Sequence, residues 1–236
     1  GLGLRGDNLA SYRLNQESYE IAASINDNYL MGSALNDIGI YFSEIGNQEE
    51  AIKHYRRSLA LTRAAKDTLG LVYILMNISI SHSNLGNEAE ARDYNQQSIA
   101  IGSISNDPKV RITGLLNEGY TLIRAENNKL ALEKFAEALD IARVYQYKWD
   151  EIQLLMGMAA GNSQIGQLER ALQYDLEALR LAEENEMKLA EMWVYGDLAA
   201  TYRGLNDFPR AIKSAEMALV LARALNQKET ELYLYG

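Results

Sequence analysis

The stretch Asn36–Leu61 reads NDIGIYFSEIGNQEEAIKHYRRSLAL, and its pattern recurs at intervals of forty residues along the chain. Small residues show the recurrence best. One position is alanine in every copy, and a second position is always glycine, serine or alanine. The two sets are Ala51, Ala91, Ala131, Ala171 and Ala211, and Gly39, Ser79, Gly119, Ala159 and Ala199. The chain therefore contains five copies of one structural unit, which is typical of a repeat protein.

Each copy predicts a pair of helices joined by a tight turn. In the first helix, the apolar residues Leu35, Ile38 and Phe42 recur with spacings of three and four, which indicates one buried helical face. The chain has only two prolines, so very little interrupts its helices, and no segment alternates in the manner of a strand. We therefore expect an all-α fold. The small residues at Gly39 and Ala51 should let the two helices of a pair approach closely.

Turn residues follow the first helix of each copy. Glycine at Gly46, Gly86 and Gly166 is suited to the left-handed conformation that ends a helix. In the third copy, we expect an asparagine of Glu126-Asn127-Asn128 to take this role. In the fifth copy the glycine has moved to Gly204, ahead of Asn206-Asp207. Asp107-Pro108 reads as an N-cap followed by the first helical residue, which predicts that a helix begins there.

These signals divide the chain into one continuous array, residues 1–236, because repeat proteins grow by adding units. The predicted segments are an N-terminal packing helix (7–26), five repeats (28–66, 68–106, 108–146, 148–186 and 188–226) and the start of a further helix (228–236). The glycine at position 1, in place of an initiator methionine, suggests a fragment of a longer protein.

Composition excludes several classes of function. The formal net charge is −9, which argues against a nucleic-acid partner because phosphate binding depends on clustered lysine and arginine. The absence of cysteine excludes disulfides and thiolate chemistry and leaves the compartment open, with the cytoplasm favoured over the periplasm. No apolar run is long enough for direct membrane insertion. We find no phosphate-binding loop, nucleophile motif or metal-ligand spacing, so no enzyme, cofactor or metal is expected within this segment.

The repeated residues resemble the tetratricopeptide repeat family. The first copy shows the family's pattern as Leu35, Gly39, Phe42, Ala51, Tyr55 and Ser58. The forty-residue spacing exceeds the usual ~34 residues and is similar to the repeats of kinesin light chains and of bacterial sensor and regulator proteins. This resemblance implies a right-handed α-solenoid superhelix of about five helix pairs, with a partial helix at each end. It also implies that the first helices line a concave groove that binds a protein or peptide.

Helical spacing places Ser33, Asp37, Ile40 and Glu44 opposite the buried face of the first helix, and their equivalents should line the groove. The candidate binding residues on this face are Asp37, Tyr73, Asn77, Asn84, Asn117, Tyr120, Arg124, Gln153, Trp193 and Asp197.

Two readings stay open for most of these residues. An asparagine at Asn77 or Asn117 offers both a donor and an acceptor to a peptide backbone, but the same amide can also bridge neighbouring helices. Tyr73, Tyr120 and Trp193 are either aromatic anchors for a partner or packing residues between repeats. Arg124 is a candidate for holding a ligand carboxylate. Asp37 and Asp197 should repel acidic ligands, which favours neutral or basic partners.

Three polar residues interrupt the predicted buried face. Glu118 takes the place of Ile38, while His82 and Asn162 take the place of Phe42. A buried carboxylate without a partner is costly, so we expect Glu118 to be paired, exposed at the rim or neutralised. His82 and Asn162 are expected to be hydrogen-bonded interior residues.

The leading hypothesis is an interaction module that captures a peptide or protein segment for an attached output domain, in a bacterial signalling protein. One alternative is a structural spacer or dimerisation array, motivated by the apolar residues Leu232 to Tyr235, through which a homodimer would form at the C-terminal end. Another alternative is a sensor of peptide pheromones.

Overall fold

The computed structural model describes residues 4–225, and within that range it contains eleven helices and no strand. The helices are α1 (Leu4–Ser24), α2 (Asn28–Glu44), α3 (Gln48–Ala65), α4 (Thr68–Asn84), α5 (Glu88–Ile104), α6 (Pro108–Arg124), α7 (Asn128–Val144), α8 (Lys148–Gln164), α9 (Leu168–Glu184), α10 (Lys188–Gly204) and α11 (Phe208–Ala224). The predicted all-α array of helix pairs is confirmed. The further helix expected at 228–236 lies outside the described residues.

The chain divides into two compact units, and the boundary falls within α6. The first unit runs to Asn117 and the second begins at Glu118. Within the first unit, each helix from α1 to α5 packs against its neighbour in sequence, and the first helices α2 and α4 also touch. Within the second unit, α7 to α11 pack in the same sequential way, and the first helices α8 and α10 touch. First helices of successive pairs are therefore neighbours inside each unit.

The turns within the five pairs all place a left-handed residue at the same register. This residue is glycine at Gly46, Gly86 and Gly166, but it is Glu126 in the third copy (φ +58°) and Asn206 in the fifth (φ +60°). The expectation that an asparagine would serve in the third copy is therefore wrong. The expectation that Gly204 takes this role in the fifth copy is wrong as well. Gly204 is still the last residue of α10, and Asn206 has the left-handed conformation.

Backbone hydrogen bonds explain this fixed register. The residue after each left-handed position donates its N–H to a carbonyl five residues earlier, as in Asn47 to Phe42 (2.8 Å), Asn127 to Leu122 (2.9 Å) and Asp207 to Tyr202 (2.9 Å). These bonds satisfy carbonyls that the helix end would otherwise leave unpaired. The turn geometry is thus imposed by the helix ends, and a glutamate or asparagine adopts it where no glycine is present.

The core within each pair depends on the small residue at the position of Gly39. A Cβ atom added to Gly39 would overlap the ring of Tyr55, and one added to Gly119 would overlap the ring of Phe135. The other three copies have a larger residue at this position, namely Ser79, Ala159 and Ala199. At the position equivalent to Tyr55 and Phe135, these copies have a smaller side chain, namely Asn95, Asp175 and Ala215. Residue sizes are therefore matched across each helix pair.

Candidate functional site

The exposed face of the first helices in the first unit presents apolar side chains to solvent. Ile40 on α2 is 36% exposed and Ile80 on α4 is 48% exposed. Tyr73, which is also on α4, is exposed as well. The opposite face of these helices is buried through residues such as Leu35 and Ile78. The two isoleucines occupy equivalent positions in neighbouring helices that touch each other, so they belong to one surface.

A cavity of about 320 Å³ lies beside this surface, and its walls come from α1 and α2. It is lined by Ser11, Asn15, Asp37, Ile40, Tyr41 and Glu44. Burial raises the pKa of the Asp37 carboxyl, and a hydrogen bond from Asn36 partly offsets that effect. The cavity thus combines an apolar wall with two acidic side chains, which suits a ligand that is not itself acidic.

The two candidate asparagines of the first unit make contacts between helices. The Asn77 Nδ2 donates a hydrogen bond to the Asn36 Oδ1 at 3.0 Å, which links α4 to α2. The Asn117 Nδ2 donates to the Ser98 Oγ at 3.2 Å, and Asn117 itself is buried. The structure therefore shows both amides as bridges between helices, which is the second of the two readings that the sequence allowed. Asn84 is exposed at the end of α4.

In the second unit, Tyr120 and Asp197 lie within electrostatic range of one another. The Tyr120 ring packs edge-on against Phe135 with centroids 5.2 Å apart, yet Tyr120 remains 37% exposed. Burial, together with the charge of Asp197, raises the pKa of the Tyr120 hydroxyl to about 12. Burial likewise raises the pKa of the partly exposed Asp197 to about 6. Both groups thus combine a crowded, poorly hydrated environment with partial access to solvent.

The remaining candidates of the second unit lie on α6, α8 and α10. Trp193 on α10 contacts Trp149 on α8, with ring centroids 5.5 Å apart and planes at 61°. This contact between successive first helices shows Trp193 as a packing residue between repeats. Gln153 is half-buried on α8, and Arg124 is exposed in the last turn of α6.

Asp175 on α9 is a functional candidate that sequence reasoning missed. Its side chain is fully buried, at 0% exposure, and its Oδ2 accepts a hydrogen bond from the Thr201 Oγ1 at 2.7 Å. Its Oδ1 has no partner among the described residues. Burial raises the pKa of Asp175 to about 7, and the charge of Asp197 adds to the shift. A signal was present in the sequence, because Asp175 stands where the first and third copies have Tyr55 and Phe135.

The three interruptions of the buried face have individual explanations. Glu118 forms an ion pair with Lys134 on α7, with the Glu118 Oε2 and the Lys134 Nζ 3.0 Å apart. The buried His82 ring stacks on Tyr94, and its Nδ1 lies 3.5 Å from the Asn87 Nδ2, while its Nε2 has no hydrogen-bond partner within residues 4–225. Asn162 donates to the Met158 carbonyl at 2.7 Å. Glu118 is thus paired, and the other two are interior residues with only part of their hydrogen bonding satisfied.

Residues 4–225 contain neither a metal site nor a membrane span. No group of three or more histidine or acidic side chains in this range is arranged to hold a metal ion. No described helix combines the length and the apolar character that a membrane span requires.

Comparison with protein families supports the pattern of helix pairs. A family model described as tetratricopeptide repeat matches residues 2–64, and a second model with the same description matches residues 71–102. Residues 2–64 and 71–102 of the chain are therefore tetratricopeptide repeats. The later copies of this tetratricopeptide repeat protein continue the same spacing of forty residues and the same alternation of helix and turn.

Several solved structures are similar to this tetratricopeptide repeat chain. BtubC (BKLC) from P. vanneervenii is 17% identical with a TM-score of 0.65, and the match covers 96% of this chain and 93% of BtubC. A Rap protein complexed with Competence and Sporulation Factor is 15% identical with a TM-score of 0.71, over 87% of this chain. The Rap conjugation gene regulator of the plasmid pLS20, in complex with the Phr* peptide, is 16% identical with a TM-score of 0.70, over 90% of this chain.

These similarities show the fold alone, because all three identities are low. The matches span 57% and 59% of the two Rap chains, so the tetratricopeptide repeat chain corresponds to little more than half of each. Among curated proteins, no sequence matches this chain.

Proposed function

We propose that the exposed face of the first helices binds an extended segment of a partner protein or peptide, and that this array is the sensory or regulatory part of a larger bacterial signalling protein. Tetratricopeptide repeat proteins are non-catalytic interaction scaffolds, which supports the first part of the proposal. The two similar Rap structures contain Competence and Sporulation Factor or the Phr* peptide, which supports a peptide ligand.

The observation that carries the proposal is the pair of exposed isoleucines on neighbouring first helices. Ile40 and Ile80 occupy equivalent positions of α2 and α4, and both are substantially exposed. Covering an aliphatic side chain releases about 25 cal/mol for each Å² removed from water. A partner segment that lies across α2 and α4 would therefore gain affinity from both side chains. Tyr73 adds an exposed aromatic ring on α4.

The negative charge of this surface indicates which composition the partner segment should have. Asp37 and Glu44 line the cavity beside Ile40, and the whole chain carries a net charge of −9. An acidic segment would be repelled at this surface, whereas a neutral or basic one would be attracted. We therefore infer a partner segment that combines apolar residues with neutral or basic ones.

The experiment is a selection of peptides from a random displayed library against the wild-type chain, followed by measurement of each affinity by fluorescence anisotropy. The double variant Ile40→Asp/Ile80→Asp should weaken binding of the selected peptides at least tenfold, or about 1.4 kcal/mol. Ile104→Asp is the matched control, because Ile104 is an exposed isoleucine at the end of the second helix α5. It should leave affinity unchanged, and circular dichroism should show equal helicity for all variants. Equal affinities for the double variant and the wild type would refute the assignment of this surface.

Two further functions stay as alternatives. A peptide-pheromone sensor would use the same surface, and small secreted peptides would then raise the melting temperature of the chain. A spacer or homodimer would depend on Leu232 to Tyr235, which lie outside the described residues. Light scattering across a range of protein concentrations tests that alternative, since a constant monomer mass would count against it.

A further inference from the structure

We propose that Asp175 and Asp197 of the second unit form a subsite for one cationic side chain, arginine or lysine, of a partner segment that lies on the second unit. This inference rests on the proposed function, because it names the chemistry of one residue of the partner. It concerns a different part of the molecule from the isoleucine surface, so the two can be tested separately.

The first step is the hydrogen bonding of Asp175. One oxygen of its carboxylate accepts from the Thr201 Oγ1 at 2.7 Å, and the other has no partner among the described residues although the side chain is fully buried. A buried carboxylate oxygen without a donor is costly, and the deficit amounts to a missing donor at that place. The guanidinium of arginine and the ammonium of lysine consist entirely of such donors.

The second step is the position of Asp197. Thr201 lies four residues after Asp197 on α10, so the two side chains share one face of that helix. Asp175 reaches this face from α9 through its bond to Thr201. Asp197 is partly exposed while Asp175 is fully buried. Asp197 is therefore the accessible carboxylate of the pair. Asp175 supplies a second carboxylate, which is buried behind the same face of α10.

The third step is the balance of charge. Neither carboxylate forms an ion pair with a lysine or arginine among the described residues, and the charge of Asp197 raises the pKa of Asp175. Two nearby carboxylates with no cation between them disfavour each other's ionised form. One positive side chain bound at the accessible Asp197 would offset this repulsion and gain charge-assisted hydrogen bonds.

The fourth step is the aromatic ring of Tyr120. The charge of Asp197 contributes to the raised pKa of the Tyr120 hydroxyl, and Tyr120 is 37% exposed. Cations are attracted to the faces of aromatic rings, and arginine more often than lysine. A ring within electrostatic range of the accessible carboxylate therefore favours the same class of ligand as the carboxylates do.

The test uses three small probes on the whole chain: N-acetylarginine amide, N-acetyllysine amide and the neutral N-acetylglutamine amide. Carboxyl ¹³C signals of the aspartates are followed by nuclear magnetic resonance at pH 8. We expect saturable shifts of the Asp175 and Asp197 signals with the arginine or the lysine probe, and none with the glutamine probe. A larger response to one of the two cations identifies which side chain the subsite takes.

Variants make the test specific. Asp197→Asn should weaken binding of the responsive probe at least tenfold, whereas Asp140→Asn, which changes an exposed aspartate on α7, should not. Equal shifts with all three probes, or shifts that survive Asp197→Asn, would overturn the inference. So would an equal response to magnesium chloride, because it would show a general cation site. Selected peptides that depend on Ile40 and Ile80, together with aspartate signals that respond to none of the three probes, would overturn the subsite and leave the proposed function standing.

Discussion

The pairing of Gly39 with Tyr55 shows how single residues shape this repeat. An aromatic ring occupies the space that a Cβ on the glycine would need, and the same pairing recurs at Gly119 and Phe135. Protein interiors are packed closely enough that even one additional methyl group is felt. The glycines are thus required by the rings opposite them and not by an unusual backbone conformation.

Gly39→Ala should lower the free energy of unfolding by about 1–3 kcal/mol because the new methyl group overlaps the Tyr55 ring. Gly196→Ala is the matched control, since a Cβ at that helical position meets no atom within 4 Å. The control should raise stability by about 0.5–1 kcal/mol, as expected for replacing glycine inside a helix. Urea unfolding measures both changes. A loss in the control, or no loss in Gly39→Ala, would contradict the packing explanation.

Asp175 makes stability depend on pH. Its pKa is raised to about 7 in the folded chain, against about 3.9 in an unfolded one. The folded state therefore binds more protons than the unfolded state between these values, and stability falls as pH rises through that window. Replacing Asp175 by asparagine removes the ionisation and its cost.

We expect Asp175→Asn to have a higher free energy of unfolding than the wild type at pH 8. This difference between variant and wild type should be roughly 2 kcal/mol larger at pH 8 than at pH 5. Urea unfolding at the two pH values provides the measurement, with Asp140→Asn as an exposed control. The opposite sign, in which the variant's advantage is larger at pH 5, would show that Asp175 is ionised at low pH in the folded chain.

Among the helices as elements, α6 starts with a well-defined cap. The Asp107 Oδ1 accepts hydrogen bonds from the backbone N–H groups of Lys109 at 2.8 Å and Val110 at 3.2 Å. These donors would otherwise lack partners within the helix. The cap of α7 is different, because Asn127 makes no side-chain hydrogen bond to its helix.

Asp107→Ala should lower the free energy of unfolding by about 1 kcal/mol, the usual cost of losing an N-cap side chain. Asn127→Ala is the comparison, and we expect a change well below that value because no cap bond is lost. Thermal unfolding followed by circular dichroism distinguishes the two. Equal losses in both variants would mean that the cap bonds contribute nothing particular to α6.

At the scale of the whole molecule, helices contact mainly their neighbours in sequence, together with the next first helix in each unit. In such repeat arrays, stability is approximately a sum of local terms and interfaces between neighbours. A destabilising change should therefore act mainly on the helices that touch the altered site.

Gly39→Ala should increase amide hydrogen exchange in α2, α3 and α4, which contact one another, and should leave α9, α10 and α11 unchanged. Exchange followed by mass spectrometry measures each helix separately. A uniform increase along the described chain would show that all the repeats unfold as one cooperative body.

The repeat sequence alone determined the helix pairs, their buried faces and the family, because these depend on periodicity, which is a local property of the chain. Leu35, Ile38 and Ala51 are examples of residues that the pattern predicts to be buried, and the structure confirms that they are.

Only the tertiary structure decided the state of individual polar groups. It alone showed that the amide of Asn77 bonds to Asn36, that Glu126 adopts the left-handed turn and that Asp175 is buried with one oxygen unpaired. The physical reason is that a hydrogen bond or a buried charge depends on which atoms neighbouring helices bring within about 3 Å, and helical periodicity specifies a face but not those atoms.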